Sequence, residues 1–411
     1  MIKRLKITGF KSIMSAEIEL PRLTVLFGPN AAGKSNLLDA VLALSRVGTE
    51  RTIADALSEP IRGYPVEAFA FPEGGLASLL SMPRASFALE ADLYGVAGGM
   101  RYRAEVSIQP GSGSLSISDE YLAALTARGK PKGLPVIEKA GDSLRIRRNG
   151  SPSPVRDEPV GQNHTVLSDL HLGGPSYKGI EQCRNELAGW RIYYLEPRTA
   201  MRASKPLVEV NDIGVSGENV APFLYRLKAE SPKHFAEVRR LLRTLVPDVD
   251  DLQVDLDKRR GTLDILIRQS GIDFSSRIIS EGTLRVLALC CIAANPWGGS
   301  LIAFEEPENG VDPRRIELIA QLLFSTAIEP GRQVIVTSHS PLVCGAMLKH
   351  GQKHPGEVAL MSVHHGASGT EFQGFDVDSP IFRDEELKAA LCETGENGVF
   401  QGLMLRGLLD G

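Results

Sequence analysis

The sequence predicts an α/β protein in which a mixed sheet is flanked by helices. Three short apolar runs, at residues 23–27, 301–304 and 334–336, have the length and composition of strands buried on both faces of a parallel sheet. A glycine-rich or polar stretch follows each run, and helical patterns follow the first and the third. Ligands of such sheets bind outside the carboxyl ends of the strands, so the three stretches are expected to meet at one edge.

The stretch GPNAAGKS, which starts at Gly28, matches the pattern G-x-x-x-x-G-K-[ST] of a phosphate-binding loop. Its glycines let backbone N–H groups surround anionic oxygens, Lys34 reaches the β- and γ-phosphates, and the Ser35 hydroxyl suits Mg²⁺. The next helix would point its positive end at the same phosphates. An ordinary glycine-rich turn is the alternative. The expected ligands are ATP and Mg²⁺, and the candidate contacts are Gly28, Asn30, Ala31, Ala32, Gly33, Lys34, Ser35 and Asn36.

Two adjacent carboxylates, Glu305 and Glu306, follow the second apolar run. Without a cation the two would repel each other, so a metal ion is expected beside them. We assign Glu305 to Mg²⁺, directly or through water, and Glu306 to the role of general base for the attacking water. The alternative is an exposed acidic turn.

His339 follows the third run, and the turn ISEGT opens an apolar helix after residue 279. A lone histidine is usually structural, but at this strand end His339 is expected beside the carboxylates, where it would sense the γ-phosphate as a second catalytic residue. In the turn, Ser280 and Gly282 at a helix N-terminus suit an anion, although N-caps of this composition are common.

Composition limits the classes of function. The chain has 46 basic and 50 acidic residues, so no overall positive field draws it to nucleic acid. The five cysteines form no C-x-x-C pair, and we find neither a signal peptide nor an apolar stretch of membrane-spanning length, so a reduced cytoplasmic protein is expected. Two arginine clusters could contact phosphate locally or be solvated faces: Arg145, Arg147 and Arg148, and Arg239, Arg240 and Arg243.

The order of these motifs is that of ABC-type ATPase heads: the phosphate loop, the SEGT turn, the acidic strand end, a D-loop-like stretch that ends at Asp312, then the histidine. The first strand and turn, RLKITGFKSI, resemble the N-terminus of the RecF, SMC and overcoming-lysogenization-defect groups. The chain thus resembles a stand-alone bacterial AAA family ATPase with an ABC-type head of that lineage. The resemblance implies that Lys11 and Ser12 lie near the nucleotide, and that Ser280, Gly282 and Asp312 act on the ATP of an opposite subunit.

The chain also departs from its relatives. Its signature reads SEGT rather than the LSGGQ of transporters, and Glu305 stands where an aspartate is usual; both fit the non-transporter branch. Heptads for a long coiled coil are missing, a Q-loop is not placed, and nothing after His339 matches a Toprim nuclease domain. From the sequence alone, Lys11 and Ser12 could equally form a surface turn.

The length of 411 residues exceeds one ordinary core, so more than one unit is expected. We predict a head formed by residues 1–50 and 190–350. Residues 51–189, rich in short segments broken by Gly and Pro, would form an inserted strand-rich arm with a flexible loop at 150–159. Residues 351–411 would complete the head with a strand pair and a helix near 385–391.

Two functions remain. The first is a Mg²⁺-dependent ATPase switch that forms a homodimer or higher homo-oligomer around ATP and controls DNA or a separate effector protein, in anti-phage defence or genome maintenance. The second is the energising subunit of an ABC transporter. The FKSI and SEGT stretches and the arm favour the first, without a membrane partner.

Overall fold

The computed structural model describes residues 1–95, 98–329, 331–366 and 369–376. Within these ranges the chain forms eighteen strands and nine α-helices. The strands are β1 Ile2–Phe10, β2 Ile13–Glu19, β3 Leu23–Phe27, β4 Ala85–Gly95, β5 Gly98–Gln109, β6 Ser114–Leu125, β7 Ile137–Ala140, β8 Ser143–Arg147, β9 Val155–Pro159, β10 Trp190–Tyr193, β11 Lys205–Pro206, β12 Val249–Asp257, β13 Thr262–Gln269, β14 Ile272–Ser275, β15 Leu301–Glu305, β16 Gln333–Ser338, β17 Val358–Gly366 and β18 Gly369–Phe375. The helices are α1 Lys34–Val47, α2 Ile53–Ala56, α3 Gly75–Ser81, α4 Lys178–Ala188, α5 Val220–Glu230, α6 Pro232–Leu245, α7 Glu281–Ala293, α8 Ile316–Ile328 and α9 Pro341–Lys353.

One sheet of fourteen strands runs in the order β10-β15-β16-β3-β17-β18-β2-β1-β4-β5-β6-β7-β8-β9. The first five strands of this order pair in parallel, and the others pair antiparallel. The sheet is therefore mixed, as the sequence predicts. The three strands that carry the motifs, β15, β16 and β3, are direct neighbours.

Strand β3 is buried on both faces. Val25 and Phe27 pack into a core with helices α5 to α9, whereas Leu26 packs into a second core with helices α1 to α4. Successive side chains of a strand point to opposite faces, so a strand between two helical layers must be apolar throughout. This burial on both faces explains why residues 23–27 form a mostly apolar run.

The register brings the three motifs to one edge of the sheet. Glu305 lies opposite Thr337 on the neighbouring strand, and Ser338 lies opposite Phe27. The carboxyl ends of β15, β16 and β3 therefore end at the same level, and the residues that follow them start from adjacent points.

The predicted arm forms β4 to β9, and these strands extend the main sheet because β4 pairs with β1. The division of the chain into head and arm stays a prediction. The expectation that residues 150–159 hold no regular element is wrong for the second half of that stretch, since Val155–Pro159 is β9 and pairs with β8. Four of its five residues are exposed, so it lacks the alternation by which a strand is recognised.

A smaller sheet has the order β11-β13-β12, with β14 also paired to β13, and it packs on α5 and α6. Apolar residues recur at every second position of 252–256 and 263–267, and these stretches lie within β12 and β13. The late strand pair is confirmed as the hairpin of β17 and β18, and β17 lies parallel to β3. The helix predicted near 385–391 lies outside the described residues.

The cysteines of the described ranges, Cys183, Cys290, Cys291 and Cys344, are buried and free. Burial raises the pKa of all four thiols, so they are core residues rather than nucleophiles. Over the same ranges, none of the helices combines the length and apolar character needed to span a bilayer.

A buried carboxyl joins β6 to the segment that precedes α4. The Glu120 side chain is 0% exposed and accepts hydrogen bonds from the Val166 N–H (2.6 Å), the Leu167 N–H (2.9 Å) and the Tyr102 hydroxyl (3.1 Å). Burial raises the pKa of Glu120 from 4.5 to about 7, although these three donors oppose the shift.

We expect the free energy of unfolding to fall as the pH rises from about 4.5 to about 7, because folded Glu120 retains a proton that the unfolded chain releases. The difference between the two pKa values corresponds to a change of about 3 kcal/mol in the free energy of unfolding. Urea unfolding at pH 5 and pH 8 measures this change. Glu120→Gln does not titrate, so its unfolding free energy should fall less over that range, and equal pH slopes in the two proteins would contradict the assignment.

Candidate functional site

The phosphate loop, residues 28–35, connects β3 to α1 and is held by the neighbouring hairpin. Gly28 has φ 145° and Gly33 has φ 103°, values that favour glycine. A Cβ at Gly28 would lie 2.1 Å from the Val363 carbonyl oxygen, and a Cβ at Gly33 would lie 2.0 Å from Thr370 Oγ1. Both glycines of the motif are therefore required by packing as well as by the conformation of the loop.

Lys34 lies inside the loop with only 5% of its surface exposed. Its Nζ donates to the carbonyl oxygens of Gly28 and Pro29, both at 2.8 Å. Burial lowers the pKa of Lys34, and the nearby Glu306 and Glu305 oppose that shift. The ammonium group is thus available at the loop's centre, where a phosphate oxygen could replace the two carbonyls.

The structure brings the two predicted catalytic residues together. Glu306 Oε1 lies 3.1 Å from His339 Nδ1, and Glu306 Oε2 accepts a hydrogen bond from Asn309 Nδ2 at 2.6 Å. Glu306 adopts φ 45°, an uncommon backbone conformation for a non-glycine residue, and its N–H donates to the Thr337 carbonyl. Two partners therefore hold the carboxylate of Glu306, and a third contact holds its backbone.

A third carboxylate, Glu308, was missed by sequence reasoning. It is 5% exposed, and its Oε1 accepts a hydrogen bond from the Ser338 hydroxyl. Oε2 has no partner among the described residues, and burial raises the pKa of this carboxyl. Its negative charge attracts the Lys34 ammonium group and so opposes the fall in the pKa of Lys34.

The Lys11–Ser12 turn lies against the start of α1. Lys11 Nζ contacts Asp39 Oδ2 at 2.5 Å, and Ser12 Oγ accepts a hydrogen bond from Asn36 Nδ2 at 2.6 Å. Asn36 directly follows Ser35 in the loop. The turn therefore adjoins the candidate nucleotide contacts, where the family resemblance places it.

The SEGT turn and the D-loop-like stretch pack against each other, and Ser280 and Asp312 are exposed while Gly282 is half-buried. Ser280 caps α7 by accepting the Thr283 N–H at 3.1 Å, and a Cβ at Gly282 would lie 2.1 Å from the Gly310 carbonyl oxygen. Asp312 is exposed, and hydrogen bonds from Arg314 lower its pKa to about 2. Within the described ranges, no hydrogen bond or ion pair joins this group to the phosphate loop of the same chain.

A protein-family model described as "AAA domain, putative AbiEii toxin, Type IV TA system" matches residues 23–345. The chain belongs to this AAA domain family. The match spans the phosphate loop, the signature turn, the carboxylates and His339. The family prediction from the sequence is thereby confirmed. Among curated proteins, none matches the chain.

Solved SMC heads are similar in structure to this AAA domain. An SMC head bound to the C-winged helix domain of ScpA is similar with a TM-score of 0.57 and 14% identity, over 91% of this chain and 98% of the other. A Pyrococcus furiosus Smc head bound to the C-terminal domain of ScpA has a TM-score of 0.48 and 13% identity, over 94% of this chain and 99% of the other. A Thermotoga maritima SMC head has a TM-score of 0.44 and 14% identity, over 91% of this chain and 99% of the other. The first similarity confirms the predicted ABC-type head.

The AAA domain also contains a charge cluster that sequence reasoning missed. Arg62 donates to Asp39 at 3.0 Å and to Glu305 at 3.1 Å, and the Tyr194 hydroxyl donates to Asp39 at 2.6 Å. Burial opposes the charge of Arg62, but attraction by Asp39 and Glu305 outweighs it and raises the pKa of the guanidinium. Asp39 had one signal in the sequence, since it is a lone acid within an apolar helical run; Arg62 had none.

The residues present fit a nucleotide with Mg²⁺. The backbone N–H groups of Gly33, Lys34 and Ser35 have no acceptor among the described residues, so they are available to anionic oxygens. Mg²⁺ is usually held by one or two carboxylates together with phosphate oxygens. Glu305 is one such carboxylate, and Ser35 adds a hydroxyl; the described residues contain no group of three or more His, Cys, Asp or Glu side chains that could hold a metal ion by themselves.

Proposed function

We propose that this AAA domain binds ATP with Mg²⁺ at the phosphate loop and hydrolyses it. The observation that carries the proposal is the convergence of Lys34, Glu305 and the pair of Glu306 and His339 at the carboxyl ends of adjacent strands. Phosphoryl transfer depends on positioning and on stabilisation of charge, and these side chains supply both.

Each side chain has a separate role in the proposed reaction. Lys34 exchanges its two carbonyl acceptors for phosphate oxygens and stabilises their negative charge. Glu306 accepts a proton from the attacking water. His339 senses the γ-phosphate, as the sequence predicts, and also orients the Glu306 carboxylate from 3.1 Å. Ser35 and Glu305 hold Mg²⁺, which supplies charge neutralisation at the phosphates.

A cavity of about 740 Å³ opens beside the Lys11–Ser12 turn. Met14, Phe69 and Phe71 contribute to its wall, and Ser12 and Arg62 also line it. We place the nucleoside of ATP here, because a base and ribose require an apolar wall with a few polar groups next to the phosphate site.

We further propose that two heads close around ATP, with Ser280, Gly282 and Asp312 of each head acting on the nucleotide of the other. Two observations support this arrangement. Ser280 and Asp312 are exposed and Gly282 is half-buried, and within the described ranges none of the three has a hydrogen bond or ion pair to its own phosphate loop. A symmetric pair of such contacts would close a dimer.

Ser280→Arg is expected to lower ATP turnover about 100-fold, because a bulky side chain would displace the opposing signature from the γ-phosphate. The affinity of single chains for Mg-ATP should change by less than about twofold, because Ser280 is not expected to contact the nucleotide of its own chain. Phosphate release and calorimetric titration measure the two quantities, and Ser112→Arg in the exposed turn between β5 and β6 is the matched control. Full turnover in Ser280→Arg would contradict the trans contact, whereas wild-type protein that binds no ATP would contradict the function itself.

We propose a cytoplasmic switch that acts on a separate effector protein. The arginine clusters favour a protein over DNA, since Arg147 is buried against Glu138, Arg145 pairs with Asp157, and Arg239 pairs with Asp251. These three of the six clustered arginines are therefore already paired with carboxylates, which weakens both clusters as contacts for phosphate. The family description names a toxin–antitoxin system, and this favours a defence role over genome maintenance or transport.

A further inference from the structure

Thr370 of β18 lies against the phosphate loop, far from it in sequence. Its side chain is 2% exposed and fills the space where a Cβ of Gly33 would be. Its Oγ1 donates to the Ala32 carbonyl oxygen at 3.0 Å and lies 2.6 Å from Ser12 Oγ. The Thr370 N–H also donates to the Ser12 carbonyl at 2.8 Å. One residue thus holds both the loop and the turn beside it.

The hydrogen bonds run in one direction. Asn36 Nδ2 can only donate, so Ser12 Oγ accepts from it at 2.6 Å. A carbonyl can only accept, so the Thr370 hydroxyl gives its single proton to Ala32. Ser12 must therefore donate to Thr370. The chain from Asn36 through Ser12 and Thr370 to Ala32 is complete, and bonds arranged in this way strengthen one another.

The bond to Ala32 determines where the next N–H group points. In a trans peptide, the C=O of one residue and the N–H of the next point in opposite directions. Because the Ala32 carbonyl points at Thr370, the Gly33 N–H points to the other side of the loop, and it has no acceptor among the described residues. Gly33, at φ 103°, has no Cβ to resist rotation of this peptide.

We propose that Thr370 is a positioning residue of the nucleotide site. Its hydroxyl fixes the Ala32–Gly33 peptide so that the Gly33 N–H faces a phosphate oxygen of the bound nucleotide. This inference rests on the proposed binding of ATP at the loop. Without the hydroxyl, the Ala32–Gly33 peptide rotates among several orientations. Nucleotide binding must then order the peptide, and this cost weakens the affinity.

Thr370→Val keeps the shape of the side chain and removes its hydroxyl, whereas Thr370→Ser keeps the hydroxyl. We expect about tenfold weaker binding of Mg-ATP by Thr370→Val, the loss that one hydrogen bond accounts for. Thr370→Ser should stay within twofold of the wild type. Calorimetric titration with Mg-ATP measures affinity, and urea unfolding of each protein reports whether it folds; Thr370→Ala replaces the valine variant if that one fails to fold.

The outcomes separate this inference from the proposed function. Wild-type protein without affinity for ATP would overturn both. Wild-type affinity in Thr370→Val would overturn the role of Thr370 alone. If Thr370→Ser loses as much affinity as Thr370→Val, the methyl group rather than the hydroxyl is responsible, and the proposal is also overturned.

Discussion

Glu306→Gln is expected to lower ATP turnover roughly 10²- to 10⁴-fold while Mg-ATP still binds, because the amide cannot accept a proton from water. The fold should persist. Glutamine has the same size, and its carbonyl oxygen can keep the hydrogen bond from Asn309 that now measures 2.6 Å. Lys34, Ser35 and Glu305 remain to hold the nucleotide. Phosphate release under saturating Mg-ATP measures the loss.

The same variant should accumulate as a closed, ATP-filled assembly, since unhydrolysed nucleotide stabilises the bound state of two heads by mass action. Light scattering with and without Mg-ATP detects the assembly through its larger mass. The double variant with Glu306→Gln and Ser280→Arg should not form this assembly. Glu317→Gln, an exposed position of α8, is the matched control for the change of charge. Normal turnover in Glu306→Gln would show that another group is the base.

Lys34→Ala is expected to weaken binding of Mg-ATP. A hydrogen bond to a charged group contributes about 1.5–3 kcal/mol, so the affinity should fall roughly 10- to 150-fold. The carbonyls of Gly28 and Pro29 also lose their donor; Pro29 is exposed to solvent, whereas Gly28 is buried, so some stability should be lost as well. Calorimetric titration measures the affinity.

A suitable control is Lys349→Ala, which removes an exposed lysine that pairs with Glu317 at 3.2 Å. It should bind Mg-ATP as the wild type does, because exposed ion pairs contribute little. Urea unfolding of both variants distinguishes lost binding from lost stability. Unchanged affinity in Lys34→Ala would contradict the assignment of the phosphate loop.

Local patterns predicted the centre of the fold well. β3 has the predicted bounds, and Ser280 caps α7, because a buried strand and an N-cap each have a signature within a few residues. The meeting of Glu306 and His339 followed from one rule about parallel strands. The roles assigned to the site residues stay predictions.

Contacts between distant segments gave no such signal. Arg62 meets Glu305 across 243 residues, and Thr370 meets Ala32 across 338. Neither has a motif around it, since a side chain that holds another one in place needs only the right position in space. Strand β9 was not predicted for a related reason. It is a strand because it pairs with β8, and its side chains do not form a buried face that a sequence pattern could reveal.

The ion pair between Arg62 and Glu305 has a consequence for folding. Four carboxylates, Asp39, Glu305, Glu306 and Glu308, lie in or near the site, and their mutual repulsion would oppose a compact chain. Arg62 pairs with two of them, and Lys34 attracts others. The protein therefore carries its own counter-ions, and we expect the chain to fold without a bound metal ion, unlike small domains that fold only around their ion.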